Sequence, residues 1–135
     1  MAMSKQEHIE ARVVMAQEKL RAAKKMFESD LYNDTISCAY YVMFYASKAL
    51  LLALGEDPHK HEGVVSLFGE RIAKIGLSDP KYGSLLRNAK NLRIRADYED
   101  FFRATKEQAE EAIRNAEDFV NQAQETLKKI QARGD

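Results

Sequence analysis

One cysteine, Cys38, is all that the 135 residues contain, which excludes an internal disulfide and a cysteine-based zinc cage and suits a reducing, cytoplasmic setting. A free thiol most often packs as a small hydrophobe, so Cys38 is expected to be buried. Proline is nearly absent too, with two residues, and glycine is sparse, with six. Apart from Gly134 these breakers fall between Gly55 and Gly83, which leaves a long tract on either side free of helix-stopping residues. There is no glycine-rich phosphate loop, no His-Glu-x-x-His zinc helix and no Gly-x-Ser-x-Gly nucleophile elbow. Neither sign of charge is in excess: Lys plus Arg and Asp plus Glu both number 21, so any electrostatic site has to be local. The longest apolar run, Ala39 to Leu54, falls short of the roughly 20 residues that span a bilayer and contains Lys48. Met1 to Glu10 is polar and lacks the apolar core of a secretory signal, so no membrane association is expected.

What is present reads as helix. A chain that is 45% hydrophobic and 31% charged has the balance of a soluble globular protein, and its length suits one domain over residues 1–135. Ser4 and Glu7 stand at capping-box spacing, and Ile9, Val13, Ala16, Leu20, Ala23 and Phe27 then recur at steps of four and three. This predicts a first helix over about Ser4 to Glu28. A second, from about Tyr32 to Leu54, is apolar on several sides and is therefore expected at the centre, with Gly55 supplying a left-handed stop. Val64, Val65, Leu67, Phe68, Ile72 and Ile75 form a shorter third helix after Asp57-Pro58. A fourth stripe, from Tyr82 through Leu85, Leu86, Ala89 and Leu92 to Ala96, follows Pro80. Asp97 to Ala104 is predicted as a connector, and Thr105 with Gln108 repeats the capping spacing before a last helix that ends near Ile130. The fold class is all-α: an up-and-down bundle of four long helices plus a short one. Tyr40, Phe44, Phe68 and Phe119 are its expected aromatic core.

Three constellations could carry chemistry. His59-Lys60-His61-Glu62 has the residue types of a metal site, but its spacing is wrong for one helical face and Lys60 would repel a cation, so a solvated loop and helix start is preferred and no metal or other cofactor is expected. Lys81, Arg87, Lys90, Arg93 and Arg95 put five cations and no anion between Lys81 and Arg95. That run either contacts phosphates, with Tyr82 and Tyr98 near enough to stack on unpaired bases, or meets Glu110, Glu111, Glu117 and Asp118 of the last helix. Arg93 lies at the edge of the fourth apolar stripe, where a guanidinium needs a partner. Asp97, four residues on, supplies one if the helix reaches that far; the other reading is a planar cation offered to a phosphate.

Two segments carry a family resemblance: Ala39 to Leu54 (AYYVMFYASKALLLAL) and Leu92 to Phe101 (LRIRADYEDF), supported by KHEGV at Lys60 to Val64 and LFGE at Leu67 to Glu70. Over about Glu7 to Ile130 the chain resembles the small stand-alone HEPN proteins of bacteria and archaea. The resemblance implies a two-fold dimer, and in many members a metal-independent ribonuclease toxin restrained by a small nucleotidyltransferase. Those members follow a catalytic Arg with a His four to six residues later. Arg93 matches the Arg, but no histidine follows it; Asp97 and Tyr98 stand there instead, in an Arg-x-x-x-Asp-Tyr form that looks like a subgroup of the family. An unperturbed tyrosine near 10 or aspartate near 3.9 is poorly placed to move protons at neutral pH. The expected function is therefore RNA or nucleotide binding by Arg87, Lys90, Arg93 and Arg95 in a homodimer that works with a nucleotidyltransferase-type antitoxin. The alternatives are a reshaped ribonuclease using Arg93, Asp97 and Tyr98, or a non-catalytic dimeric scaffold.

Overall fold

A computed structural model describes residues 2–134 as five α-helices in the order α1 (Lys5–Glu28), α2 (Tyr32–Ala53), α3 (His61–Phe68), α4 (Lys81–Tyr98) and α5 (Lys106–Ala132). Helix α3 runs on into a π turn at Gly69–Ala73. Both capping boxes form. Ser4 Oγ accepts from Glu7 N at 3.1 Å while Ser4 N donates to Glu7 Oε1, and Thr105 with Gln108 repeats the exchange at the start of α5. Thr105→Ala is expected to lower stability by about 1 kcal/mol, read from the midpoint of urea unfolding.

Helix α2 is the centre: it packs against α1, α3, α4 and α5, and 13 of its 22 residues are buried. By length and composition it would pass for a membrane span, with mean hydropathy 1.4, yet 67% of that window is buried, so the other helices already cover its apolar surface. Tyr40, Phe68 and Phe119 are fully buried and Phe44 nearly so, as the sequence predicts. Ile75 is not part of this core: it is exposed, because the chain turns away at Gly76 (φ +82°). Cys38 is only half-buried, and burial pushes its thiol pKa up.

Two details of the α2–α3 connection fix where α3 begins. Gly55 adopts φ +87°, the left-handed conformation expected where α2 stops. Arg12 then holds the loop, donating from Nη2 to Asp57 Oδ1 at 3.0 Å and from Nη1 to the Lys48 carbonyl at 3.1 Å. A Cβ on Gly63 would stand 3.3 Å from Pro58 Cβ, so the first turn of α3 approaches the loop more closely than most side chains allow. Helix α3 thereby begins at His61, directly against α2.

Candidate functional site

Ser37, Tyr40, Tyr41 and Phe44 share one face of α2 at helical spacings of three and four, and Lys90, Arg93 and Asp97 do the same on α4. Helix α4 extends through Asp97 to Tyr98, further than the predicted connector boundary, and that extra turn meets the condition for an Arg93–Asp97 contact. Arg93 Nη1 lies 3.4 Å from Asp97 Oδ2, with the Arg93 side chain 9% exposed and that of Asp97 32%. Ser37 Oγ donates to Asp97 Oδ1. The guanidinium carbon sits 5.2 Å from the ring centre of Tyr40, 5.7 Å from Tyr41 and 6.0 Å from Tyr98, within cation–π range of all three.

This cation is under-partnered for its burial. Its single ion pair is long, and Nε is sealed from solvent with no acceptor among the described residues. A guanidinium has five donors, and desolvating them without partners is costly. Nη2 also lacks an acceptor among the described residues but is not one of their sealed, unpaired atoms, so it remains open to solvent.

The structure adds a residue that the sequence pattern did not connect with Arg93. His61 opens α3, and its Nδ1 is 2.6 Å from Tyr40 Oη. Its ring packs among Phe44, Tyr40 and Tyr41, with centroid distances of 4.6, 5.7 and 5.9 Å. The pKa of His61 is lowered from 6.5, first by burial, then by the charge of Arg93 and, less strongly, those of Lys90 and Lys48; Glu62 acts in the opposite direction. Burial also raises the Tyr40 phenol far above its ordinary 10, so Tyr40 keeps its proton. Among the described residues no three His, Cys, Asp or Glu side chains gather as a metal site.

The remaining cations of the basic run are dispersed. Lys90 Nζ lies 3.7 Å from Glu62 Oε1, Arg95 Nε pairs with Glu99 at 3.3 Å while its guanidinium covers Phe102 at 4.5 Å, and Arg87 is exposed. Among the described residues, Lys81 is the one cation of this run that forms an ion pair with the last helix, at Asp118. Tyr98, whose ring meets Arg93, and Phe101, in the connector that follows α4, are 72% and 97% exposed. Asn33, which no sequence pattern singles out, fastens the connector after α4: its Nδ2 donates to the carbonyls of Ala96 and Phe102, and its Oδ1 accepts from Ala104 N.

The family described as HEPN domain matches residues 9–127. A protein of Methanocaldococcus jannaschii named "Putative toxin" is 41% identical over 92% of each chain, and a second of that name from the same organism is 32% identical over 88% of this chain and 81% of its own. A UPF0332 protein of Archaeoglobus fulgidus is 37% identical over 91% of this chain and 98% of its own.

Proposed function

Since the chain belongs to the HEPN domain family, we propose that it is a toxin-like protein that binds RNA, with Arg93 holding a backbone phosphate. The observation that carries this reading is the buried, under-partnered guanidinium, whose Nη2 is open to solvent and whose Nε lacks an acceptor. A phosphate offers several acceptor oxygens and a negative charge to such a planar donor set. Of the other cations of α4, Arg87 is exposed, while Lys90 and Arg95 are each paired with a carboxylate, at Glu62 and Glu99, so Arg93 carries the phosphate contact. The exposed rings of Tyr98 and Phe101 favour a strand, whose unpaired bases stack on aromatic faces, over a single nucleotide. The toxin reading brings two finer expectations, a homodimer and a nucleotidyltransferase-type antitoxin, which light scattering and co-purification with the co-expressed partner test.

The direct experiment is fluorescence anisotropy of a single-stranded RNA in EDTA as salt is raised. Affinity is expected to fall with salt. Arg93→Ala is expected to weaken binding and to reduce the slope of log K against log salt by about 0.7 for each phosphate no longer neutralised. Affinity that does not respond to salt, or to loss of Arg93, would overturn the reading.

A further inference from the structure

We infer that His61 is the proton-transfer residue of the Arg93 site, replacing from α3 the histidine that is missing downstream of Arg93, and that Tyr40 positions its ring. The inference rests on the reading that Arg93 holds an RNA phosphate. The geometry is a chain of contacts through Tyr40. The ring of Tyr40 packs 5.2 Å from the Arg93 guanidinium carbon, and its hydroxyl meets His61 Nδ1 at 2.6 Å. His61 Nε2 has no hydrogen-bond partner among the described residues and is not one of their sealed, unpaired atoms, so it faces solvent on a half-buried ring. A tyrosine hydroxyl both donates and accepts, so Tyr40 supports either neutral tautomer, including the one that leaves a lone pair on Nε2.

The other groups near Arg93 are less suited. Asp97 already accepts from Ser37 and Arg93. Tyr98 is largely exposed, and it meets Arg93 through the face of its ring. Tyr40 retains its proton, and the thiol of Cys38 is pushed up by burial. His61 is the reverse case. Burial and the charges that surround it, Arg93 and Lys90 on α4 and Lys48 on α2, outweigh Glu62 and favour the neutral imidazole, which is the form that accepts a proton at pH 7. Its place at the start of α3, at the positive end of the helix dipole, acts in the same direction.

The step this arrangement serves is transesterification within RNA. Nε2 takes the proton of a 2′-hydroxyl, the O2′–P bond forms, and the P–O5′ bond breaks with its electron pair leaving on the 5′ oxygen. That oxygen takes a proton from water, and the hydroxide produced is neutralised when the imidazolium returns its proton to solvent. The products are a 2′,3′-cyclic phosphate and a 5′-hydroxyl. Arg93 offsets the charge on the phosphoryl oxygens.

The test measures binding and cleavage together, in EDTA, on one RNA oligonucleotide and on its copy with every 2′-hydroxyl removed. Wild type is expected to bind both and cleave only the first. His61→Gln should keep RNA affinity near that of wild type and lose cleavage by about 10²–10⁴-fold, with Tyr40→Phe losing less. The wild-type rate should climb with pH through a midpoint below the ordinary 6.5 of histidine and then level off, because a base works only when deprotonated. Binding without cleavage by wild type would overturn the role of His61 and leave RNA binding standing; absence of binding would overturn both. Undiminished cleavage by His61→Gln would overturn it too. If His61→Gln unfolds, the wild-type profile decides, since a rate that is flat from about pH 5 to 8 cannot depend on an imidazole base.

Discussion

Replacing Phe119 with alanine should cost about 3–5 kcal/mol, the range for deleting a fully buried phenyl ring. Phe119, on α5, is 0% exposed; its ring lies 5.5 Å from that of Phe68 on α3 and 5.9 Å, edge-on, from that of Tyr82 on α4. Neither neighbour can easily fill the space. Phe68 is the last residue of α3, where the chain passes into the π turn, and Tyr82 is held by its hydroxyl, which donates to Asp118 Oδ1 at 2.9 Å. The cavity should therefore persist, adding its own penalty to the lost burial. Urea unfolding would show this as a lower midpoint at unchanged slope. Phe101→Ala is the matched control, since that ring is 97% exposed and its removal should change stability by less than about 0.5 kcal/mol. A loss below about 1 kcal/mol for Phe119→Ala would mean that the α5 face does not bear on the core as its packing indicates.

Phe119 was visible in the sequence for the reason that most of the bundle was. Helix periodicity, capping boxes and a left-handed glycine are local signals, and Ser4, Gly55 and Thr105 all do in the structure what their neighbours in sequence imply. The Arg93–Asp97 contact was legible as a spacing, but it depended on a boundary. Periodicity locates helix ends poorly, and α4 runs beyond the point where its apolar stripe stops. His61 was not legible as a partner of Arg93. In the sequence it stands in a polar stretch beside His59 and Lys60, and only the packing of the first turn of α3 on the Ser37–Phe44 face of α2 carries it to Tyr40. The fates of the basic run were hidden for the same reason. Lys90 finds Glu62 from α3 and Arg95 finds Glu99 just past the end of its own helix, whereas composition pointed to the acids of α5, with which, of this run and among the described residues, Lys81 alone pairs. Asn33 carries no signal of its own, because its three hydrogen bonds are to backbone groups brought together by the fold.

Asp97→Ala should destabilise the protein more than Arg93→Met, although the second substitution removes the larger polar group. The order depends on which charge is left behind. Without Asp97, the Arg93 guanidinium, 9% exposed and already lacking an acceptor for Nε, has no carboxylate partner left among the described residues. Removing one member of a buried pair costs about 3–5 kcal/mol; with Asp97 32% exposed and Nη2 open to water, about 2 kcal/mol is the expected loss. Without Arg93, Asp97 is free to hydrate and still accepts from Ser37, while methionine preserves the apolar stem against Tyr40 and Tyr41. Arg93→Met should therefore fall within about 1 kcal/mol of wild type, since an apolar replacement for a buried charge is often neutral. The same variant should bind RNA more weakly and with a smaller salt slope, as expected for Arg93→Ala. A stable protein with impaired binding would separate the two roles open to Arg93, because a purely structural ion pair predicts that binding is untouched whatever the change in stability.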